Sequence, residues 1–169
     1  WGEKVYGTRN SGLLYHSFGP FGAAFGTWIA TIEHQLMHEN LGDTYLMANT
    51  YCETKVKKGD DGKSSVFSPD GQSTSFSETD NGRSIKKAKD AENPLGEWNT
   101  VDLYCFGQTS VHVVNGQVVM VNTNCSKLEN GLKLPLTKGK IQIQSEGGEF
   151  FIRKMEIEKI KEIPGELMK

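Results

Sequence analysis

The sequence predicts an all-β fold, a sandwich or barrel, on three observations. Short runs rich in Val, Ile, Thr, Tyr and Phe alternate with turn sequences along the whole chain, and glycine is abundant, at 19 of 169 residues. Only residues 155–162 carry a charge pattern that suits a helix, and Pro164 would stop it. A chain of this length fits one domain, 1–169, with a real core.

The first strand is expected over 11–17, following the turn sequence Arg9-Asn10-Ser11-Gly12. The second spans 28–37, where alternation puts Ile29, Thr31, Glu33, Gln35 and Met37 on one face and Trp28, Ala30, Ile32, His34 and Leu36 on the other. A third lies within 44–56. Residues 57–96 hold the turn sequences Gly59-Asp60-Asp61-Gly62, Ser68-Pro69-Asp70-Gly71 and Asp80-Asn81-Gly82 in polar surroundings, and read as a loop-rich insertion over one edge or mouth of the sandwich. A hairpin around Val66 and Phe76 fits within it. Strands follow over 98–106, 109–114 and 117–122, the last two joined by Asn115-Gly116, the preferred type I′ pair. In the incoming strand Ser110 and His112 oppose Val111 and Val113, so one face is core and the other is expected to be wet. The last pair, 139–145 and 149–160, forms a hairpin about Gly147-Gly148. Here Ile141 and Ile143 alternate with Gln142 and Gln144, placing an amide and carboxylate row, Gln142, Gln144 and Glu146, along one face.

Composition excludes several function classes. The formal charge is −2, from 19 basic and 21 acidic residues, which gives no electrostatic reason to expect nucleic acid or a membrane surface. The clusters Lys57-Lys58 and Lys86-Lys87-Ala88-Lys89 read as solvated loops. No apolar run is long enough for a membrane helix. Cys52, Cys105 and Cys125 are widely and irregularly spaced, which argues against zinc; one disulfide with a free thiol and three reduced thiols both fit. No cofactor follows from the sequence; a transition-metal site is not expected, and a divalent cation such as calcium would have to be held by turn carboxylates such as Asp60, Asp61 or Asp80. The chain opens on Trp1 without an initiator Met, as a processed or truncated product would.

The candidate site comes from the polar strand faces. Glu33 and Gln35 project side by side about 7 Å apart, given the rise of a strand. Apolar neighbours on that face would raise the carboxylate's pKa and fit it for acid or base work, against the alternative of a plain solvent-facing stripe. Glu146, Gln144 and Gln142 suit a surface that reads hydroxyls, and sugars are the commonest ligands of that kind. Arg9 and Asn10 can donate to hydroxyls or carboxylates. His34 is as readily a core histidine as a catalytic one, and Trp98 reads as packing more readily than as a sugar platform.

In order along the chain, Asn10-Ser11-Gly12-Leu13-Leu14-Tyr15, Ile32-Glu33-His34-Gln35-Leu36, Gly42-Asp43-Thr44-Tyr45, Glu97-Trp98-Asn99, Val114-Asn115-Gly116 and residues 139–147 resemble the landmarks of the 3-keto-disaccharide hydrolase domain family. The resemblance implies a concanavalin A-like jelly-roll sandwich of two antiparallel sheets in an exported, extracytoplasmic protein. Family members carry further strands before the Asn-Ser-Gly motif, and because the chain begins almost on that motif, one or more of these strands is expected to be missing. It implies a carbohydrate substrate, a glycoside oxidised to a ketone at C3, cleaved by elimination and hydration or by hydrolysis. Glu33 and Glu146 would then be the catalytic carboxylates, and Arg9, Asn10, Gln35, His112 and Gln144 would bind the sugar. His34 and the run Met37-His38-Glu39-Asn40 depart from the family pattern. A non-catalytic carbohydrate-binding module is the alternative, since the same fold supports both.

Overall fold

The computed structural model describes residues 10–146 and 148–169. It is an all-β jelly-roll sandwich, as the sequence predicts. Its strands are β1 (Asn10–Phe18), β2 (Ala30–Gln35), β3 (Thr44–Met47), β4 (Thr50–Lys58), β5 (Ser65–Phe67), β6 (Gln72–Phe76), β7 (Ser84–Ile85), β8 (Val101–Phe106), β9 (Thr109–Val114), β10 (Gln117–Glu129), β11 (Leu132–Pro135) and β12 (Lys140–Glu146). One sheet has the order β12-β1-β2-β3-β7, and the other β5-β4-β10-β9-β8, with β6 also on β4 and β11 on β10.

The core lies between the sheets. Tyr15, Ile32, Leu46 and Ile85 from the first sheet meet Cys52, Phe67, Phe76, Met120 and Cys125 from the second, joined by Leu136. A polar seam runs through it. His112 Nδ1 lies 3.0 Å from the Gly42 carbonyl, which can only accept, so the proton sits on Nδ1 and Nε2 accepts from the Tyr15 hydroxyl at 3.1 Å. Ser110 then donates to Tyr15 at 2.7 Å, and Asn122 ties in Thr54 and Thr44 at 2.8 and 2.9 Å. His34 stacks on His112, ring centroids 4.0 Å apart. All three cysteines are free thiols.

The structure departs from the sequence expectations in several places. Strand 44–56 is split by a turn at Ala48 and Asn49, both at positive φ, into β3 and β4, which belong to different sheets. Residues 57–96 contribute short strands to both sheets among their turns and loops: Lys57 and Lys58 end β4, β5 and β6 each pair with β4, and β7 pairs with β3, so no hairpin joins Val66 to Phe76. Gly71 makes that crossing close, because a Cβ there would lie 2.6 Å from the Val56 backbone. Lys86 and Lys87 are not merely solvated but clasp the β2–β3 connection, Lys86 to Asp43 at 2.8 Å and Lys87 to the Glu39 carbonyl at 2.9 Å, with Glu92 a further 3.0 Å partner of Lys87. Neither face of β9 is wet, since Ser110, Val111, His112, Val113 and Val114 are all buried.

The terminal hairpin does not form. Residue 147 lies outside the described residues, β12 pairs with β1, and residues 149–160 make no strand. The alternation of Phe151, Arg153, Met155 and Ile157 supplies a side-chain pattern but no partner edge, and an unpaired strand has nowhere to place its backbone hydrogen bonds. Phe151, Ile152, Met155 and Ile157 are exposed as a result.

Candidate active site

The register of the five-stranded sheet assembles the site. Asn10 pairs with Glu146, Gly12 with both Gln144 and Gln35, and Leu14 with both Gln142 and Glu33. Residues paired across antiparallel strands share a face, so these side chains stand together, on the side of the sheet opposite Tyr15 and Ile32 and hence away from the core. The loop between β1 and β2 packs on this face, Ala24 against Leu14 and Met47 with Trp28 alongside, and Thr27 and Trp28 face the β12 row. The amide row of β12 is therefore half-buried, while Ile141 and Ile143 are the more exposed residues, at 52% and 38%.

Glu33 is 3% exposed. Its carboxyl group lies over Gly12, where a Cβ would come within 2.1 Å of Oε1, so only glycine leaves room for it. Burial and then the charge of Glu146 push its pKa up to about 8. Glu33 therefore carries its proton at neutral pH, and Oε1 has no hydrogen-bond partner.

Glu146 is held differently. Its Oε2 accepts from Asn10 Nδ2 at 2.8 Å and from Gln144 Nε2 at 3.0 Å. Because a carboxylate accepts, both amides must turn their NH₂ groups toward it, which leaves Asn10 Oδ1 and Gln144 Oε1 buried and unpaired. Unpaired buried oxygens are costly, and hydroxyl donors from a ligand would satisfy them. Beside them opens a cleft of about 510 Å³ lined by Leu14, Thr27, Trp28, Gln142, Gln144 and Glu146.

The structure thus brings together Glu33, Glu146, Asn10 and Gln144. Gln35 shares their face, but its Oε1 accepts from the Leu36 and Met37 backbone N–H groups at 3.0 and 3.2 Å, so it closes the end of β2. His112 stands apart from them: it is fully buried between the sheets, bonded to Gly42 and Tyr15, and burial lowers its pKa to about 4. Strand parity gave its face, but which face turned inward was set by the partner sheet. Arg9 lies outside the described residues. Among the described residues no group of three or more His, Cys, Asp or Glu side chains could hold a metal ion. Asp61 spends its oxygens on the N–H groups of Lys63 and Ser64 and on the Ser64 hydroxyl, each at 2.8 Å.

Sequence reasoning missed Gly12 and Trp28. Trp28 was expected on the face opposite Glu33, yet it lines the cleft beside Glu146 because β2 begins only at Ala30, so strand parity does not extend to residue 28. Gly19, Gly22 and Gly26, all at positive φ, mark the loop and were the available signal. Trp98 is half exposed and does not pack as expected; it lines a second cleft of about 560 Å³ with His38, Glu92, Leu95 and Phe151.

No helix among the described residues is long and apolar enough to cross a membrane. No curated protein and no solved structure shows a significant match to the chain. Residues 2–158 match the family model described as the 3-keto-alpha-glucoside-1,2-lyase-like domain, the family that the sequence landmarks resemble, and the chain belongs to it.

Proposed function

We propose that this protein cleaves the glycosidic bond of glycosides oxidised to a ketone at C3, with Glu146 as base and Glu33 as acid. One observation carries this reading: two buried, unpaired oxygens, Asn10 Oδ1 and Gln144 Oε1, belong to the amides that hold the Glu146 carboxylate, and a third, Glu33 Oε1, lies unpaired on the same face of the sheet. Such a cluster suits a ligand rich in hydroxyls, and the contrast between the two carboxyl environments suits a division of acid and base labour.

The ketone acidifies the hydrogen on C2. Glu146 takes that proton, and the electron pair moves onto the ketone oxygen as an enolate. Once Glu146 is protonated its hold on the Asn10 and Gln144 N–H groups weakens, and these donors can turn to the developing oxyanion. As the enolate collapses the C1–O bond breaks, and Glu33 gives its proton to the departing oxygen. Water then adds across the C1=C2 bond of the resulting enone, so the net change is hydrolysis.

The test uses a 3-keto-glucoside and its unoxidised parent. The keto sugar should be consumed and the parent left intact, and Glu33→Gln and Glu146→Gln should each lower kcat/KM about 100-fold or more. Consumption of both sugars would point to an ordinary two-carboxylate glycosidase. Binding of both with consumption of neither would leave a carbohydrate-binding module.

A further inference from the structure

We infer that the loop from Gly19 to Ile29 forms an aglycone subsite for a flat, apolar, preferably aromatic ring, a conclusion that rests on the glycoside-cleaving reading of the adjoining cleft. The loop is anchored at its base and aromatic at its surface. Ala24 and Ile29 are buried, and Ala24 and Trp28 exchange both backbone hydrogen bonds at 2.9 Å. That small bridge holds Trp28 against the cleft and turns Phe25 outward, 56% exposed, with the two rings edge to face at 6.1 Å.

Phe25 sits at φ 50. A bulky side chain is rarely found in that region, where glycine or asparagine is the ordinary choice, and backbone strain of this kind clusters at ligand sites. The ring is also held in place from outside the loop, because the Arg83 guanidinium stands 4.5 Å above its centroid. Phe21, 78% exposed, lies 5.9 Å below the ammonium of Lys140, at the start of β12.

The two walls of the cleft differ in chemistry. On the β12 side Gln142, Gln144 and Glu146 offer amides and a carboxylate, while on the loop side Trp28 offers ring surface and Phe25, packed edge to face against it, extends that surface beyond the cleft. A ligand that satisfies both has a hydroxyl-bearing half and an apolar half. A second sugar ring can lay only its C–H patches on the aromatic wall and finds few polar partners there for its hydroxyls, whereas an aryl ring stacks over its whole face.

The experiment compares a phenyl 3-keto-glucoside with a 3-keto-disaccharide in the wild type, Phe25→Asn, Trp28→Leu and Glu33→Gln. Asparagine tolerates positive φ, so Phe25→Asn removes the ring while keeping the turn. Both loop variants should raise KM for the phenyl glucoside about tenfold, the equivalent of one stacking contact, and change KM for the disaccharide less than about twofold. Equal effects on the two substrates, or none on either, would overturn the subsite while loss of both activities in Glu33→Gln upheld the cleavage reading. If the wild type cleaves neither substrate, the cleavage reading fails. Equilibrium binding of the same two sugars then decides the subsite, and equal weakening of both by the loop variants would overturn it.

Discussion

At the scale of single residues the candidate site depends on an absence, the missing side chain of Gly12. Its φ is not positive, so the backbone does not require glycine, and the constraint is the space taken by the Glu33 carboxyl group. Gly12→Ala should therefore fold, because the clashing atom is the end of a flexible side chain, but the carboxyl group must move by more than an ångström. A displacement of that size in a reacting group costs about 100-fold in rate. We expect kcat/KM on a 3-keto-glucoside to fall by about that factor with a near-native thermal midpoint. Activity within a fewfold of wild type would mean that the position of Glu33 is not critical. The sequence made Glu33, Gln144 and Glu146 legible because strand parity alone puts them on definite faces. It could not show that Gln35 turns back onto the backbone of residues 36 and 37, or that His112 faces the other sheet, since both depend on what packs opposite.

At the scale of elements the β9–β10 hairpin was the most legible, and it does more than connect two strands. Asn115 and Gly116 adopt φ 48 and 75, as the type I′ turn requires. The Asn115 side chain also donates to the Ala91 carbonyl at 2.8 Å and to Asn99 Oδ1 at 2.7 Å, while its own oxygen accepts from the Thr100 N–H at 2.8 Å. The turn thus ties the segment 91–100 to the sandwich. Asn115→Ala combines a strained backbone with lost hydrogen bonds and should destabilise by about 2 kcal/mol. In urea the midpoint should fall with the slope unchanged; an unmoved midpoint would mean that the tie contributes nothing. The short strands β5, β6 and β7 were hidden in the sequence by turn residues that outnumber them. Residues 149–160 err the other way, with a strand-like alternation that no sheet edge among the described residues takes up. In both cases local pattern proposes a strand, and a partner decides it.

At the scale of the whole molecule, buried titratable groups on the two faces of one strand set the response to pH. His34 and Glu33 are neighbours on β2, the first facing the His112 ring and the second the opposite face of the sheet, which also carries Glu146. Burial holds His34 well below its ordinary value of 6.5 and His112 at about 4, while it lifts Glu33 from 4.5 to about 8. Below pH 6.5 the unfolded chain takes up two protons on these histidines that the folded chain refuses. Above pH 4.5 the unfolded chain releases the Glu33 proton that the folded chain keeps until about pH 8. Between pH 4.5 and 6.5 these groups therefore give the unfolded state a net excess of one bound proton, and stability rises with pH by roughly 1.4 kcal/mol per unit. Between about pH 6.5 and 8 the excess reverses, and stability falls at a similar rate. The three groups thus predict a maximum in thermal midpoint near pH 6.5. His34→Leu, which replaces a ring whose two nitrogens lack partners, should flatten the acid limb. Glu33→Gln should flatten the alkaline limb and leave the variant more stable than wild type at pH 8, even as it loses activity. Parallel midpoint curves for wild type and both variants from pH 4.5 to 8 would show that neither group is as buried in solution as the fold places it.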